Sequence, residues 1–236
     1  VLAIPEFQNT DQDPFASKDG KEVRELIEQD LTFSGIFTYV TPKDMSPFSP
    51  GYELSDINFK EWGALGTEFL IKGGYQLEAD EFVFDVRLYD VKAARLILGK
   101  KYRVDREDLR SLAHRYSDAV MEALTGNRGI FQTKILFVSD KSGHKELYMM
   151  DYDGHGVEKI TNHKSIVSSP DWSADGKEVS YSFYESHGEN VQNLDLSVLN
   201  LASKKRRVIA KEPGLNYSAS WSHTGNLLAV TMSHEG

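Results

Sequence analysis

The sequence predicts an α/β (α+β) domain followed by an all-β partial β-propeller. Three observations carry this. Helical and strand patterns mix as far as Gly126, only short strands and turns follow it, and that second part repeats itself at a spacing of 49 residues. The domains are expected at 1–126 and 127–236, and 236 residues suffice for two of ordinary size.

Val1–Ile4 is an apolar start that suits a strand, and Asn9–Gly20, with Pro14 and Gly20, reads as a loop. Lys21–Phe33 is expected to be helical, because Val23, Leu26, Ile27 and Leu31 recur every three to four residues; Gly35 stops it. A short strand over Ile36–Val40 follows. Pro42, Pro47, Pro50 and Gly51 leave 41–57 irregular, and a short helix over Asn58–Leu65 ends at Gly66. Glu68–Leu77 and Phe82–Leu88 alternate as strands around a turn at Glu78–Glu81, and Arg95–Val104 returns as a third. Asp105 is a candidate N-cap with Asp108 behind it. The helix it opens carries an apolar stripe of Leu109, Leu112, Ala113, Tyr116, Ala119, Val120, Ala123 and Leu124, and Gly126 is its C-cap signal.

Beyond Gly126, Ser169-Pro-Asp-Trp172-Ser-Ala-Asp-Gly176 aligns with Ser218-Ala-Ser-Trp221-Ser-His-Thr-Gly225. Leu147–Asp151 aligns with Leu196–Asn200 at the same offset, and Val157–Ile160 with Arg206–Ile209. A period of about 40–50 residues with several strands per unit marks propeller blades, whose faces are buried only by neighbouring blades. Trp172 and Trp221 are expected in the wedge between blades, with Gly176 and Gly225 in the turn after the innermost strand. One complete blade is expected: Ser169–Trp172, Glu178–Phe183, Leu194–Asn200 and Arg206–Ile209. Lys134–Ile160 supplies three strands of an earlier blade and Ser218–Met232 two of a later one.

Composition narrows the function. Net charge is −9, and residues 1–126 carry 15 Lys and Arg against 23 Asp and Glu, which argues against a nucleic-acid or anionic-membrane surface. No cysteine is present, so disulfides, thiolate metal sites and cysteine nucleophiles are excluded together. No apolar run reaches the ~20 residues of a membrane span. Val1–Pro5 lacks the features of a signal peptide, so the chain is expected to begin inside a mature protein.

Neither a nucleophile elbow nor a phosphate-binding glycine motif occurs, and no catalytic set, metal or cofactor is expected. His144, His155, His163, His187, His223 and His234 read as solvated loop residues. Asp151-Tyr-Asp153-Gly154 looks like the start of a calcium loop, but Asn162 stands where the closing Glu belongs; a hairpin turn is the better reading. Lys204-Lys-Arg-Arg207 reads as a solvated turn between blade strands, and Asp171 and Asp175 as parts of the repeat's turn. Partner contact is therefore expected at loops leading into the innermost strands: Ser168, Ser169 and Pro170, and Leu215, Asn216, Tyr217 and Ser218, with Tyr217 read equally well as packing against the next blade.

A resemblance adds to this. Ile4-Pro-Glu-Phe7-Gln8, Asp30-Leu31 with Ser34-Gly35-Ile-Phe37, and Trp62-Gly-Ala-Leu-Gly66 resemble the amino-terminal domain of the TolB family in order and spacing. The block Tyr102–Phe131, with Leu124-Thr125-Gly126, is the most specific part, and Ser169–Gly176 resembles the family's WD40-like (PD40) repeat. The resemblance implies a six-bladed propeller with about two blades here. It further implies a non-enzymatic periplasmic translocation protein of the Tol–Pal system that binds the lipoprotein Pal through the propeller. TolA would be bound through an amino-terminal segment expected ahead of Val1, with consequences for outer-membrane integrity and cell division. Neither nucleic-acid binding nor membrane insertion is implied. The rival reading is a regulatory or substrate-binding propeller fragment of a peptidase or sugar-processing enzyme.

Overall fold

The computed structural model describes residues 1–11, 13–45, 51–186 and 192–233. It divides into two compact units, Val1–Gln132 and Thr133–Gly236. The boundary expected after Gly126 lies six residues earlier than this division. Residues 127–132 are held to the first unit by Asp118 on its last helix, whose carboxylate accepts the Phe131 N–H (2.9 Å) and the Gln132 amide (2.6 Å).

The first unit is a five-stranded sheet with helices. Strands β1 (Leu2–Ala3) and β2 (Gln8–Asn9) both run parallel to β3 (Phe69–Glu78). Strands β4 (Glu81–Asp90) and β5 (Arg95–Asp105) continue from β3 as an antiparallel meander. Ala79 and Asp80 between β3 and β4 both have positive φ, the signature of a two-residue type I′ turn.

Helix α1 (Pro14–Phe33) starts seven residues earlier than its apolar spacing suggests, so the expected loop over Asn9–Gly20 shrinks to a few residues. Proline is tolerated at a first helical position, where its missing N–H has no partner to lose. Gly20, read as a loop signal, lies inside α1 because the buried Tyr75 ring passes over the helix there; a Cβ would meet that ring at 2.2 Å. The strand expected over Ile36–Val40 reduces to a single parallel bridge between Tyr39 and Leu2.

Met45 of the short helix α2 (Pro42–Met45) joins Trp62 of α3 (Phe59–Ala64), Leu70, Tyr89 and Val91 in one apolar cluster. Pro47 and Pro50 lie outside the described residues.

Helix α4 (Leu109–Thr125) packs on α1 and β5. The expected capping by Asp105 and Asp108 is not what forms: a 3-10 turn over Arg106–Asp108 comes first, and neither aspartate side chain makes a capping hydrogen bond. Gly126 does end α4, in the left-handed conformation (φ 76°). The buried face of α4 includes the polar His114, Ser117 and Asp118, whereas Ala123 is exposed.

The second unit is all-β. A three-stranded sheet holds β6 (Lys134–Ser139), β7 (Glu146–Asp151) and β8 (Glu158–Lys159). One complete blade follows: β9 (Val167–Trp172), β10 (Glu178–Ser186), β11 (Gln192–Asn200) and β12 (Arg206–Ala210), in antiparallel order β12-β11-β10-β9. Strands β13 (Asn216–Trp221) and β14 (Leu228–Met232) form a third, two-stranded sheet. Trp172 packs against a cluster of Leu147, Val167, Val179, Tyr181 and Phe183 that also takes in Leu136 and Val138, so it lies between the first sheet and the complete blade. Gly176 and Gly225 occupy equivalent turns with φ 69° and 74°.

Candidate functional site: the approach to the innermost strands

Strands β9 and β13 begin at the same point of the repeat, and the structure builds both approaches alike. Lys145 bridges Ile166 in parallel, and Leu194 bridges Leu215, each pair displaced from the other by 49 residues. Just inside each bridge lies a buried acid, Glu146 in the first sheet and Asp195 in the complete blade. Glu146 accepts the Thr161 hydroxyl (2.6 Å) and the Lys164 N–H (2.7 Å). Asp195 accepts the Asn193 amide (2.7 Å). That amide nitrogen also donates to the Glu212 carbonyl (2.9 Å), and the Asn193 side-chain oxygen accepts the Gly214 N–H (2.9 Å). Both connections are thereby fixed from beneath by a carboxylate that is itself hydrogen-bonded, as a buried charge requires.

Each innermost strand then bulges at the same place. Register shifts fall opposite Ser169–Pro170 in β9 and opposite Ser218–Ala219 in β13. Ser169 and Ser218 both have positive φ, 51° and 55°. A bulge leaves a residue outside the ladder, which is where proline is tolerated in a sheet. Pro170 and Ala219 thus answer the same geometry, although the motif letters differ.

The expected contact residues separate into two kinds. Leu215 (44% exposed) and Tyr217 (38%) are open to solvent, as is Ile166 (50%), the repeat equivalent of Leu215. Ser168, Ser169 and Pro170 are half-buried along β9. Asn216 is buried (1% exposed) and donates to the Leu194 carbonyl (3.1 Å) and the Glu212 carbonyl (2.6 Å). Its side chain is a strut under the loop rather than a contact on it.

Asp171 is not in the turn. It lies on β9, and its carboxylate accepts the Trp221 N–H of β13 (2.9 Å), a direct tie between consecutive innermost strands. Asp175 is the turn residue, accepting the Ser173 hydroxyl (2.8 Å) and the Lys177 N–H (3.1 Å), and these bonds hold its carboxyl below the ordinary range. Truncation by Asp171→Ala is expected to lower stability by about 1–3 kcal/mol, because it strands an inward amide. Faster hydrogen exchange at Trp221 is the matching local readout; unchanged exchange there would remove the tie.

His163 is no solvated loop residue. Its ring stacks on Phe183 (centroids 4.2 Å apart), its Nε2 is 3.0 Å from the Tyr181 hydroxyl, and the Arg206 guanidinium lies over the Phe183 ring (4.7 Å). Burial first, then Arg206, push the ring below its ordinary pKa of 6.5, against the pull of Glu146 and Glu185. The neutral ring is therefore favoured in the folded state, and the unfolded chain binds the extra proton. Stability contributed by this site is present above pH 6.5 and is lost as pH falls below it through the folded-state value. Thermal unfolding of His163→Gln is expected to change less between pH 7 and pH 5 than that of the parent chain. Equal slopes would show that His163 does not titrate in the unfolding transition. Glu146 acts lower. Burial raises its carboxyl, but the Thr161 and Lys164 donors outweigh that and leave it below 4.5.

Three of the four cations in the basic run are paired. Arg207 forks onto Glu178 (2.5 and 2.7 Å), Lys204 meets Glu158 (3.2 Å), and Arg206 meets Glu185 (3.5 Å). The Asp151 turn is likewise occupied: Lys134 Nζ lies 2.6 Å from its carboxylate, and Gly154 takes the positive-φ position. Among the described residues no three His, Asp or Glu converge as a metal site would need. His187 and His234 lie outside the described residues.

Comparison with known proteins decides the family. The family model described as the TolB amino-terminal domain matches residues 1–97, and the one described as the TolB beta propeller domain matches 121–236. The chain belongs to the TolB family. The Tol-Pal system protein TolB of Desulfosudis oleivorans is 36% identical over 240 residues, covering 100% of this chain and 53% of that protein. Its counterpart in Syntrophotalea carbinolica is 41% identical over 160 residues, covering 67% of the chain and 37% of the relative. The crystal structure of TolB from Acinetobacter baumannii superposes with a TM-score of 0.80 at 26% identity, over 100% of this chain and 55% of that one. The chain thus spans about half, or less, of the length of these TolB proteins. The buried Glu146 and Asp195 escaped the sequence reading. The signal for them was one step away, since they immediately precede the aligned segments Leu147–Asp151 and Leu196–Asn200.

Proposed function

We propose that this chain is part of a non-enzymatic, periplasmic protein-binding component of the Tol–Pal cell-envelope system. In this reading the propeller part contributes to holding Pal, and the whole protein reaches TolA through an amino-terminal segment. The observation that supports it best is the pairing of a TolB-type first domain with a propeller whose approach loops are fixed from below and expose Ile166, Leu215 and Tyr217. A pre-ordered rim with aromatic and aliphatic side chains suits protein contact, because little ordering entropy remains to be lost on binding. Among the described residues no helix is long and apolar enough to cross a membrane.

Titration of Pal against a full-length parent carrying Leu215→Ala with Tyr217→Ala tests the contact. A loss of at least about tenfold in affinity is expected if these are anchoring residues. Unchanged affinity removes them from the site. Asn216→Ala is a control of a different kind, expected to act through loop order and therefore to lower stability along with affinity.

A further inference from the structure

Strand β5 is the outer edge of the first unit's sheet; among the described strands it pairs only with β4. It is eleven residues long, contains no proline, and is largely exposed along its length. Long unpaired edges invite strand addition, and natural sheets manage them with charge, proline or cover. The charge in the middle of this edge is one-sided, with Asp105 closing its end. Lys100 and Lys101 are adjacent, so they project from opposite faces, and both are exposed.

Neither lysine has a carboxylate within ion-pair distance among the described residues. Arg95, by contrast, is matched by Asp90, and Arg103 by Glu78 and Glu81. Lys101 stands opposite Asp85 in the ladder, but that carboxylate is taken by Arg87. Arg115 of α4 adds a further exposed cation, lying over the Tyr102 ring at 5.2 Å. This cationic edge sits on a domain with 15 basic against 23 acidic residues, so it is not a by-product of composition.

We propose that β5 takes up an extended acidic segment of a partner protein as an added strand. Main-chain hydrogen bonds along the edge would supply affinity, and neighbouring carboxylates on the two faces of the added strand, one toward Lys100 and Arg115 and one toward Lys101, would supply register and selectivity. The same charges disfavour a second copy of this chain, because pairing β5 with β5 sets cations against cations.

The test uses the whole chain and an eleven-residue peptide in which a central pair of adjacent Glu residues is flanked by Val and Thr, so that each strand face carries a carboxylate. A second peptide of equal charge carries Pro at alternate positions and cannot form a strand. The first peptide is expected to bind with an affinity that falls as salt rises, and to slow hydrogen exchange along β5. Lys100→Glu with Lys101→Glu is expected to weaken binding at least tenfold while thermal unfolding stays where it was. Equal binding by the proline peptide would mean charge alone and overturns strand addition. Failure of the first peptide to bind, unprotected β5 amides, or full affinity in the double variant would overturn it as well. None of these outcomes involves Pal, so they stand apart from the test of the propeller rim.

Discussion

Replacing Asp30 with Leu is expected to destabilise the first unit by about 1–3 kcal/mol, the range for taking a hydrogen-bond partner from a buried polar group. Asp30 on α1 and His114 on α4 face each other across the seam between the two helices, with Nδ1 2.9 and 3.0 Å from the two carboxylate oxygens, and both side chains are buried. Neither alone suits an apolar seam. Each hydrogen-bonds the other, so removing one takes a partner from a polar group that has already surrendered its water. His114→Leu is expected to be at least as damaging, since it takes the imidazole from a buried carboxylate. The double replacement, Asp30→Leu with His114→Leu, is expected to cost clearly less than the two single losses added together. Denaturant unfolding of the four proteins, read by hydrogen exchange along α4, measures that coupling. Additive losses would mean that the pair is not a unit.

Glu146→Ala carries the second large expectation, in the other unit. The carboxylate is fully buried and receives the Thr161 hydroxyl and the Lys164 N–H, both in the connection that feeds β9. Each stranded donor costs about 1–3 kcal/mol. The loss should be local before it is global. Amides from Thr161 to Val167 are expected to exchange faster, and His163, seated beside them on Phe183, loses the upward pull of Glu146, so while its ring stays stacked its titration is expected to move further down. A variant that unfolds at the parent temperature, with unchanged exchange across 161–167, would show that the strands alone order the approach loop. Asp195→Ala is the parallel experiment one repeat later and should loosen the connection around Gly214 through Asn193.

Much of this was legible in the residues. The 49-residue offset placed the strands of the complete blade to within a few residues, because blade strands are short and the innermost one ends in a turn that needs glycine at Gly176. The hairpin at Ala79–Asp80 and the end of α4 at Gly126 were equally local matters of backbone sterics. The misreadings share one cause. Gly20 is a local loop signal, yet the helix runs through it because the Tyr75 ring packs over α1 there, and Pro14 opens the helix at its first position. Tertiary packing overrode a local propensity of about 1 kcal/mol. Asp171 was assigned to a turn because its partner, the Trp221 amide, is 50 residues away. His163 was placed in solvent because Phe183 and Tyr181, which bury it, lie on a different element.

By itself, the sequence determined the order of elements, the division into an α+β part and a bladed part, and the family. Those features follow from periodicity, turn chemistry and repeated motifs, which act over a few residues at a time. Only the tertiary structure decided which polar side chains are buried partners, as with Asp30 and His114, Glu146 and Thr161, or Asp171 and Trp221. It also decided which cations, Lys100 and Lys101, are left without one. Burial and pairing depend on what another segment brings to within 3 Å, and spacing along the chain does not encode that distance.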